Sequence, residues 1–236
     1  MTALYKRVLI KISGEAIAGK DGDVLDFAVI GKICDVLKRC LDEGVQIALV
    51  LGGGNIWRGL KDGTGKMDRS RADHMGMLAT AINSLAVADV LETRGVEVRV
   101  QTAIEMRAFA EPYVRLRAIS HLDNGKVVVF GCGTGNPFFS TDTAAVLRGA
   151  EIGADIVLLA KNVDGVYTDD PRKNPDARKY EVLSPGDFLR DNLAAMDATA
   201  ASLSRDNSIP VLLFALSDPE NIFRAIMGKK VGTLVR

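Results

Sequence analysis

The chain reads as an α/β protein, a three-layer αβα sandwich around a mainly parallel central sheet. Three observations predict this. Short β-branched runs recur along the 236 residues, and several are apolar at nearly every position, the mark of strands covered on both faces. Stretches with helical spacing lie between them, so strand and helix alternate and right-handed crossovers follow. Polar, glycine-rich turns come just after four of the strands, at the end where open α/β sheets bind ligands.

The first strand covers residues 8–12. Asp26 then caps a helix carrying Phe27, Ile30, Ile33, Cys34, Leu37 and Leu41 on one side, and Gly44 ends it. A second strand, 45–51, leads to a long helix from Asp68 to Glu92, closed by Gly95. Strand 96–100, helix 112–122, strand 127–130 and helix 141–152 continue the alternation. Strand 156–159 precedes the least regular stretch, 162–178, where prolines mark an ordered loop or hairpin over the sheet edge. Helix 196–206, strand 209–214 and helix 219–227 follow. Neither a repeat nor a Pro/Ser-rich linker breaks the pattern, so residues 1–236 read as one domain.

Composition narrows the function. The chain is 47 % apolar and 25 % charged, which excludes disordered, collagen-like and low-complexity classes. Lys+Arg and Asp+Glu both number 30, so the basic excess of a nonspecific nucleic-acid binder is missing. Cys34, Cys40 and Cys132 show no CxxC spacing, which argues against a disulfide framework and a structural zinc and for buried apolar filler in a reducing compartment. No apolar run approaches the roughly 18 residues of a membrane span. The first 14 residues are interrupted by Lys11 and lack the core of a signal peptide. The expectation is a cytoplasmic protein without nucleic-acid or membrane partners.

The turns carry the chemistry. Lys11-Ile12-Ser13-Gly14 follows the first strand, and Gly52-Gly53-Gly54-Asn55 follows the second, with Arg58 close behind. Gly131-Cys132-Gly133-Thr134-Gly135-Asn136-Pro137 follows strand 127–130, and Lys161-Asn162-Val163-Asp164-Gly165 follows strand 156–159. Glycine lets backbone N–H groups approach an anion, and a helix N-terminus adds a favourable dipole. Several such turns on one sheet edge, with Lys11 and Arg58 among them, indicate phosphate binding. Two common phosphate motifs fail. Gly14 to Lys20 matches GxxxxGK, but Asp21 stands where a hydroxyl should hold Mg²⁺. A dinucleotide GxGxxG starting at Gly52 would put Trp57 at its last glycine.

Carboxylates Asp73, Asp142, Asp164, Asp170 and Asp197 fall in or beside the same edge. Asp plus Lys plus Arg around glycine turns is the composition phosphoryl transfer needs. Asp26 reads as a helix cap. Asp142 reads equally as a cap or as a functional group that orients Lys11 or a metal. Asp197 heads a helix, where it can help hold Mg²⁺ and nucleotide. Lys11, a compact charge on a buried strand, suits a phosphoryl oxygen. His74 and His121 lack metal-ligand spacing.

In chain order stand Lys11-Ile12-Ser13-Gly14-Glu15, Gly52-Gly53-Gly54-Asn55 with Arg58-Gly59, and Asp73-His74-Met75-Gly76-Met77-Leu78-Ala79. Gly133-Thr134-Gly135-Asn136-Pro137-Phe138-Phe139-Ser140-Thr141-Asp142, Val163-Asp164-Gly165-Val166-Tyr167-Thr168 and Met196-Asp197 follow. Together they resemble the bacterial uridylate kinases of the amino-acid kinase superfamily, from Tyr5 to Leu234. The Lys11 and Gly52-Gly53-Gly54 motifs are shared across the superfamily, whereas 73–79 and 134–141 are specific to the uridylate kinases.

The resemblance implies an amino-acid kinase-like fold and ATP-dependent, Mg²⁺-assisted phosphorylation of UMP to UDP, in the supply of UTP and CTP. It implies catalytic roles for Lys11, Arg58, Asp142 and Asp197, with Asp197 toward the metal. It puts ATP on Lys11, Ile12, Ser13, Gly14, Gly54 and Arg58, with its adenosine end near Asn162, Tyr167 and Asp170. Either Lys161 or Asn162 contacts adenine, and Asn162 is favoured because it both donates and accepts. UMP falls to Gly53, Asp73, Thr134, Gly135, Asn136, Pro137, Phe138, Phe139, Ser140 and Thr141. A homohexamer, inhibition by UTP and an effector role for GTP are also implied. The family's Gly-Phe-Gly effector segment aligns with residues 19–24, where Gly22-Asp23-Val24 stands instead, so weak or altered GTP activation is expected. Carboxylate kinases of the superfamily, acting on acetylglutamate, aspartate or carbamate, and nucleotide-binding storage proteins are the alternatives. The first should lack Thr-Gly-Asn-Pro-Phe-Phe, and the second should lack intact Lys11, Arg58 and Asp197.

Overall fold

The computed structural model describes residues 3–19, 22–171 and 173–236. Its strands are β1 (Arg7–Ile12), β2 (Gln46–Leu51), β3 (Val98–Thr102), β4 (Glu111–Pro112), β5 (Val127–Gly131), β6 (Ile156–Lys161), β7 (Val182–Leu183), β8 (Val211–Ala215) and β9 (Thr233–Val235). Its α-helices are α1 (Phe27–Asp42), α2 (Gly59–Asp62), α3 (Arg69–Glu92), α4 (Arg115–Asp123), α5 (Thr141–Ile152), α6 (Pro185–Arg190), α7 (Ala198–Asp206) and α8 (Glu220–Ile226). The strands form a single sheet in the order β4-β3-β5-β2-β1-β6-β8-β9-β7. Every pair is parallel except β8 with β9.

The strand period of two sorts the core into two layers. Val8, Ile10 and Ile12 of β1 face the layer of α1, α3 and α8, together with Ile47, Leu49 and Leu158. Leu9, Ala48, Val50, Val157 and Leu159 face the layer of α4, α5, α6 and α7. The same parity puts Lys11 and Lys161 on the α5 side, with Lys11 in register with Leu159. That pattern determines the site.

Asp26 is a cap, accepting from the N–H groups of Ala28 and Val29. Asp68 caps α3 in the same way through Arg71. By length and composition α3 alone among the described helices could cross a membrane. It is a core helix here, with Val87, Val90 and Leu91 buried against α1 and the sheet. The stretch 162–178 forms a hairpin. Tyr167 bridges Lys179 antiparallel, and Thr168 donates to Arg178 O at 2.9 Å.

Boundaries shift where loops take over. The third strand starts at Val98 rather than Val96, because Val96 N–H closes the end of α3 on Leu91 O. The helix expected from Pro112 starts at Arg115, and Glu111–Pro112 form an edge strand, the one strand position where a missing N–H is harmless. The helix expected from Met196 starts at Ala198 behind its cap Asp197. Strands β7 and β9 and helix α6 were not expected. The two strands are too short to show a period, but Ser184-Pro185-Gly186-Asp187 does carry a cap signal: Ser184 Oγ accepts from Asp187 N–H.

Candidate active site

The first two turns meet backbone to backbone. A Cβ on Gly14 would lie 2.8 Å from Gly52 O and 2.9 Å from Gly54 N, so only glycine fits that approach. A Cβ on Gly53 would meet Ala79 Cβ and Gly76 O of α3, both at 2.9 Å. Behind the turn, buried Asn83 of α3 donates to Gly52 O at 2.6 Å and pairs with the Asn55 amide. Asn55 in turn donates to Val24 O at 2.8 Å, fastening the segment before α1. Within 19–24, Lys20 and Asp21 lie outside the described residues.

Parity brings a buried charge cluster to the end of β1. Lys11, 7 % exposed, has its Nζ 3.1 Å from Asp142 Oδ1. This is a charge contact rather than an aligned hydrogen bond, since Oδ1 has no hydrogen-bond partner. The other carboxylate oxygen accepts from Lys161 Nζ, which also donates to Ala195 O. Burial pushes the Asp142 carboxyl up, but Lys11 and Lys161 outweigh it and hold the group below the usual aspartate value. Burial lowers Lys161, Asp142 opposes that, and Lys11 adds to the lowering; the net is below the usual lysine range. The helix cap is Ser140, which accepts from Asp142 N–H at 3.0 Å and Thr143 N–H at 3.2 Å. Asp142 is therefore no cap, and its carboxylate is free to hold both lysines.

The pair Lys161 and Asn162 also separates. Lys161 is committed inward, whereas exposed Asn162 donates to Glu15 Oε2 at 3.0 Å. Glu15 is ion-paired with Arg58 as well, across the mouth of the turns. Arg58 Nε reaches Gly54 O at 3.3 Å. Tyr167 donates to Asp164 at 3.0 Å within the hairpin, and Asp170 lies further along it, where its carbonyl accepts from Lys173 N–H.

Beside the turns lies a cavity of about 370 Å³ whose lining includes Gly53, Gly54, Arg58, Asp73, Thr134 and Asn136. Phe138, Phe139, Ser140 and Thr141 complete its rim, and Arg69 also faces it. Gly135 and Pro137 turn the chain without lining the cavity; Gly135 has φ 81° and packs against Ala103. Asp73 accepts from Arg69 Nε at 2.9 Å and from Phe138 N–H at 2.8 Å. Phe138 is 66 % exposed and Phe139 52 % exposed, and the Arg69 guanidinium stacks 5.3 Å from the Phe138 ring. A wider hollow of about 730 Å³ between α3 and β3–β4 holds none of these residues.

Asp197 accepts from Ala200 N–H at 2.8 Å, from Thr143 Oγ1 at 2.9 Å and from Ser140 Oγ. Its oxygens are used as a cap and a hydroxyl clamp. Among the described residues no three His, Cys, Asp or Glu side chains form a metal-ligand group. The donor set therefore does not build a metal cage.

Sequence reasoning missed Lys161 as a partner of Asp142, Glu15 as a partner of Arg58, and Arg69. A lysine ending an otherwise apolar strand was a signal for the first. The other two are exposed side chains whose partners only the fold brings near.

A model of the amino acid kinase family matches residues 6–215. The structure is similar to UMP kinase from Bacillus anthracis, with TM-score 0.94 and 43 % identity over 98 % of this chain and 96 % of that one. For UMP kinase from Ureaplasma parvum the values are 0.91 and 37 %, over 98 % of each chain. Uridylate kinase from Archaeoglobus fulgidus gives 0.75 and 25 %, over 97 % and 99 %. With its parallel sheet, paired glycine turns and a family match along most of its length, this chain belongs to the amino acid kinase family.

Proposed function

We propose that this protein is an ATP-dependent UMP kinase, transferring the γ-phosphoryl group of ATP to UMP to give UDP and ADP. The observation that carries the reading is likeness over nearly the full length to two UMP kinases at 43 % and 37 % identity. A coupled assay of ADP release tests it, with UMP, CMP, dUMP, acetylglutamate, aspartate and carbamate as parallel acceptors. UMP should be used best, because a site built to hydrogen-bond its substrate rejects analogues by up to about 10⁴-fold. Equal turnover of CMP and UMP would contradict it.

In this reading the whole chain works as one domain. The ATP phosphates meet the backbone N–H groups of Ile12, Ser13, Gly14 and Gly54 and the charges of Lys11 and Arg58. Adenosine lies toward Asn162, Tyr167 and Asp170. UMP occupies the cavity beside Gly53, with Asp73 on the ribose and residues 134–141 around the base and phosphate. Arriving phosphate displaces Glu15 from Arg58. Transfer is in line and needs no covalent intermediate; the protein positions the two nucleotides and neutralises charge. Lys11 supplies a cation where negative charge grows, held in place by Asp142, which Lys161 anchors from the far side.

Mg²⁺ supplies charge neutralisation on the phosphates when it enters with ATP. Because the carboxylates present are committed to lysines, caps and hydroxyls, no protein-built metal site is assigned, and Asp197 acts as a clamp on the start of α5. A homo-oligomer is supported by α3, whose Met75, Leu78, Ile82 and Leu85 are 37–49 % exposed and share a face at spacings of three, four and three. The hexamer, the cytoplasmic setting, UTP inhibition by occupancy of the UMP cavity, and GTP as an effector complete the proposal.

A further inference from the structure

Thr80 borders the same cavity, buried behind the binding segments named above, and it holds the inner end of the loop that follows β5. Its hydroxyl donates to Met77 O, 2.7 Å away, which fixes the O–H direction and leaves a lone pair for Cys132 N–H at 2.8 Å. Both residues are buried. Cys132 has φ 63° and Gly133 φ 57°, so two successive left-handed residues reverse the chain here. A non-glycine residue holds that conformation only when its surroundings fix it. Gly135 N–H then closes the turn on Cys132 O at 2.9 Å.

The loop is tied to α3 a second time. Phe138, also left-handed at φ 71°, donates its N–H to Asp73 Oδ2 at 2.8 Å. Asp73 and Thr80 are seven residues apart, two helical turns, so they lie on one face of α3 about 10 Å from each other. The same stretch of α3 touches the glycine turn after β2, since a Cβ on Gly53 would lie 2.9 Å from Gly76 O and 3.2 Å from Thr80 N. One rigid segment thus sets the distance between Gly53 and residues 133–139.

We propose that Thr80 is a positioning residue for the acceptor nucleotide. Its hydroxyl keeps Cys132 left-handed and so holds the loop where a nucleoside monophosphate can be gripped. The substrate part rests on the UMP kinase reading; the loop part does not.

Two variants test it: Thr80→Val removes the hydroxyl at constant shape, and Thr80→Ser restores it. Leaving a buried N–H unpaired in one state predicts a rise in KM for UMP of about three- to tenfold in Thr80→Val. KM for ATP should stay within about twofold, and Thr80→Ser should return the wild-type KM for UMP. Amide hydrogen exchange without nucleotide should be faster across residues 132–139 in Thr80→Val only. Unchanged KM for UMP with unchanged exchange overturns the proposal. So does an equal rise in both KM values that Thr80→Ser fails to reverse. If the wild-type protein does not phosphorylate UMP, the substrate reading falls, and the exchange comparison still decides whether Thr80 holds the loop.

Discussion

Replacing Asp142 by Asn removes one charge from the centre of the buried cluster and changes almost nothing in shape. At 3.1 Å from Lys11 and an effective dielectric of about 20, the contact is worth about 5 kcal/mol before solvation. Desolvation offsets part of that, and removing one partner of a buried pair usually destabilises by about 3–5 kcal/mol. For a chain of 236 residues that is a fall in Tm of about 6–20 °C. The pH dependence has a definite sign. Because the folded carboxyl is held below its unfolded value, its stabilisation is fully present above about pH 4 and is lost as pH falls through the folded pKa. The gap in Tm between wild type and variant should close in acid, as Asp142 is protonated in the wild type, and should narrow again toward alkaline pH, where Lys161 can lose its proton in the folded variant. In the variant Lys161 loses Asp142, the larger of the two carboxylates that raise it, and keeps only Asp197, so it is driven further down. The unfolded state then binds more protons, and variant stability should climb toward alkaline pH. Lys11, no longer held, should cost kcat about 10²-fold. Thermal melts across pH, paired with initial rates, measure all of this. A Tm within about 2 °C of wild type with normal kcat would refute the charge-cluster account.

Lys11→Met should lower kcat by about 10²–10³-fold with little change in KM, since it removes charge that acts in the transition state; near-normal kcat in steady-state assays would show that another group does this. Asp73→Asn should mainly raise KM for UMP, and it also weakens the hold on Arg69, so a fall in kcat at constant KM would reverse the assignment. Cys34 and Cys40, whose thiols burial pushes up to about 12, should resist a thiol reagent in the folded protein at pH 8, and all three cysteines should react after denaturation. Fast native labelling of either would contradict their burial.

Much of the site was legible because parallel strands end on it. Lys11, Ser13, Gly53 and Gly54 sit at strand ends that apolar runs located to within a residue or two. Helix α5 was found at its bounds, since Ser140 is a strong cap and Gly153 a strong stop. What the sequence could not settle was the use of each carboxylate. Asp142 read as cap or function until the fold showed the cap to be Ser140. Asp197 reads toward a metal in the sequence, and the fold adds that its oxygens also hold Ser140, Thr143 and Ala200. The use of Asp197 depends on partners 54 and 57 residues away and that of Asp142 on Lys11 and Lys161, which local spacing does not encode. Thr80 was invisible for the same reason, its partner Cys132 lying 52 residues further on. The short strands β7 and β9 escaped because two or three residues carry no period.

In the proposed reaction the phosphoryl group passes directly from ATP to UMP across the paired glycine turns. The most direct test incubates the protein with ATP labelled in its γ-phosphate, UMP and Mg²⁺, and follows the label. Direct transfer puts it in the β-phosphate of UDP, with none retained on protein after denaturation and a sharp loss in Lys11→Met. Label held on the protein, or no labelled UDP while another acceptor is phosphorylated, would contradict it.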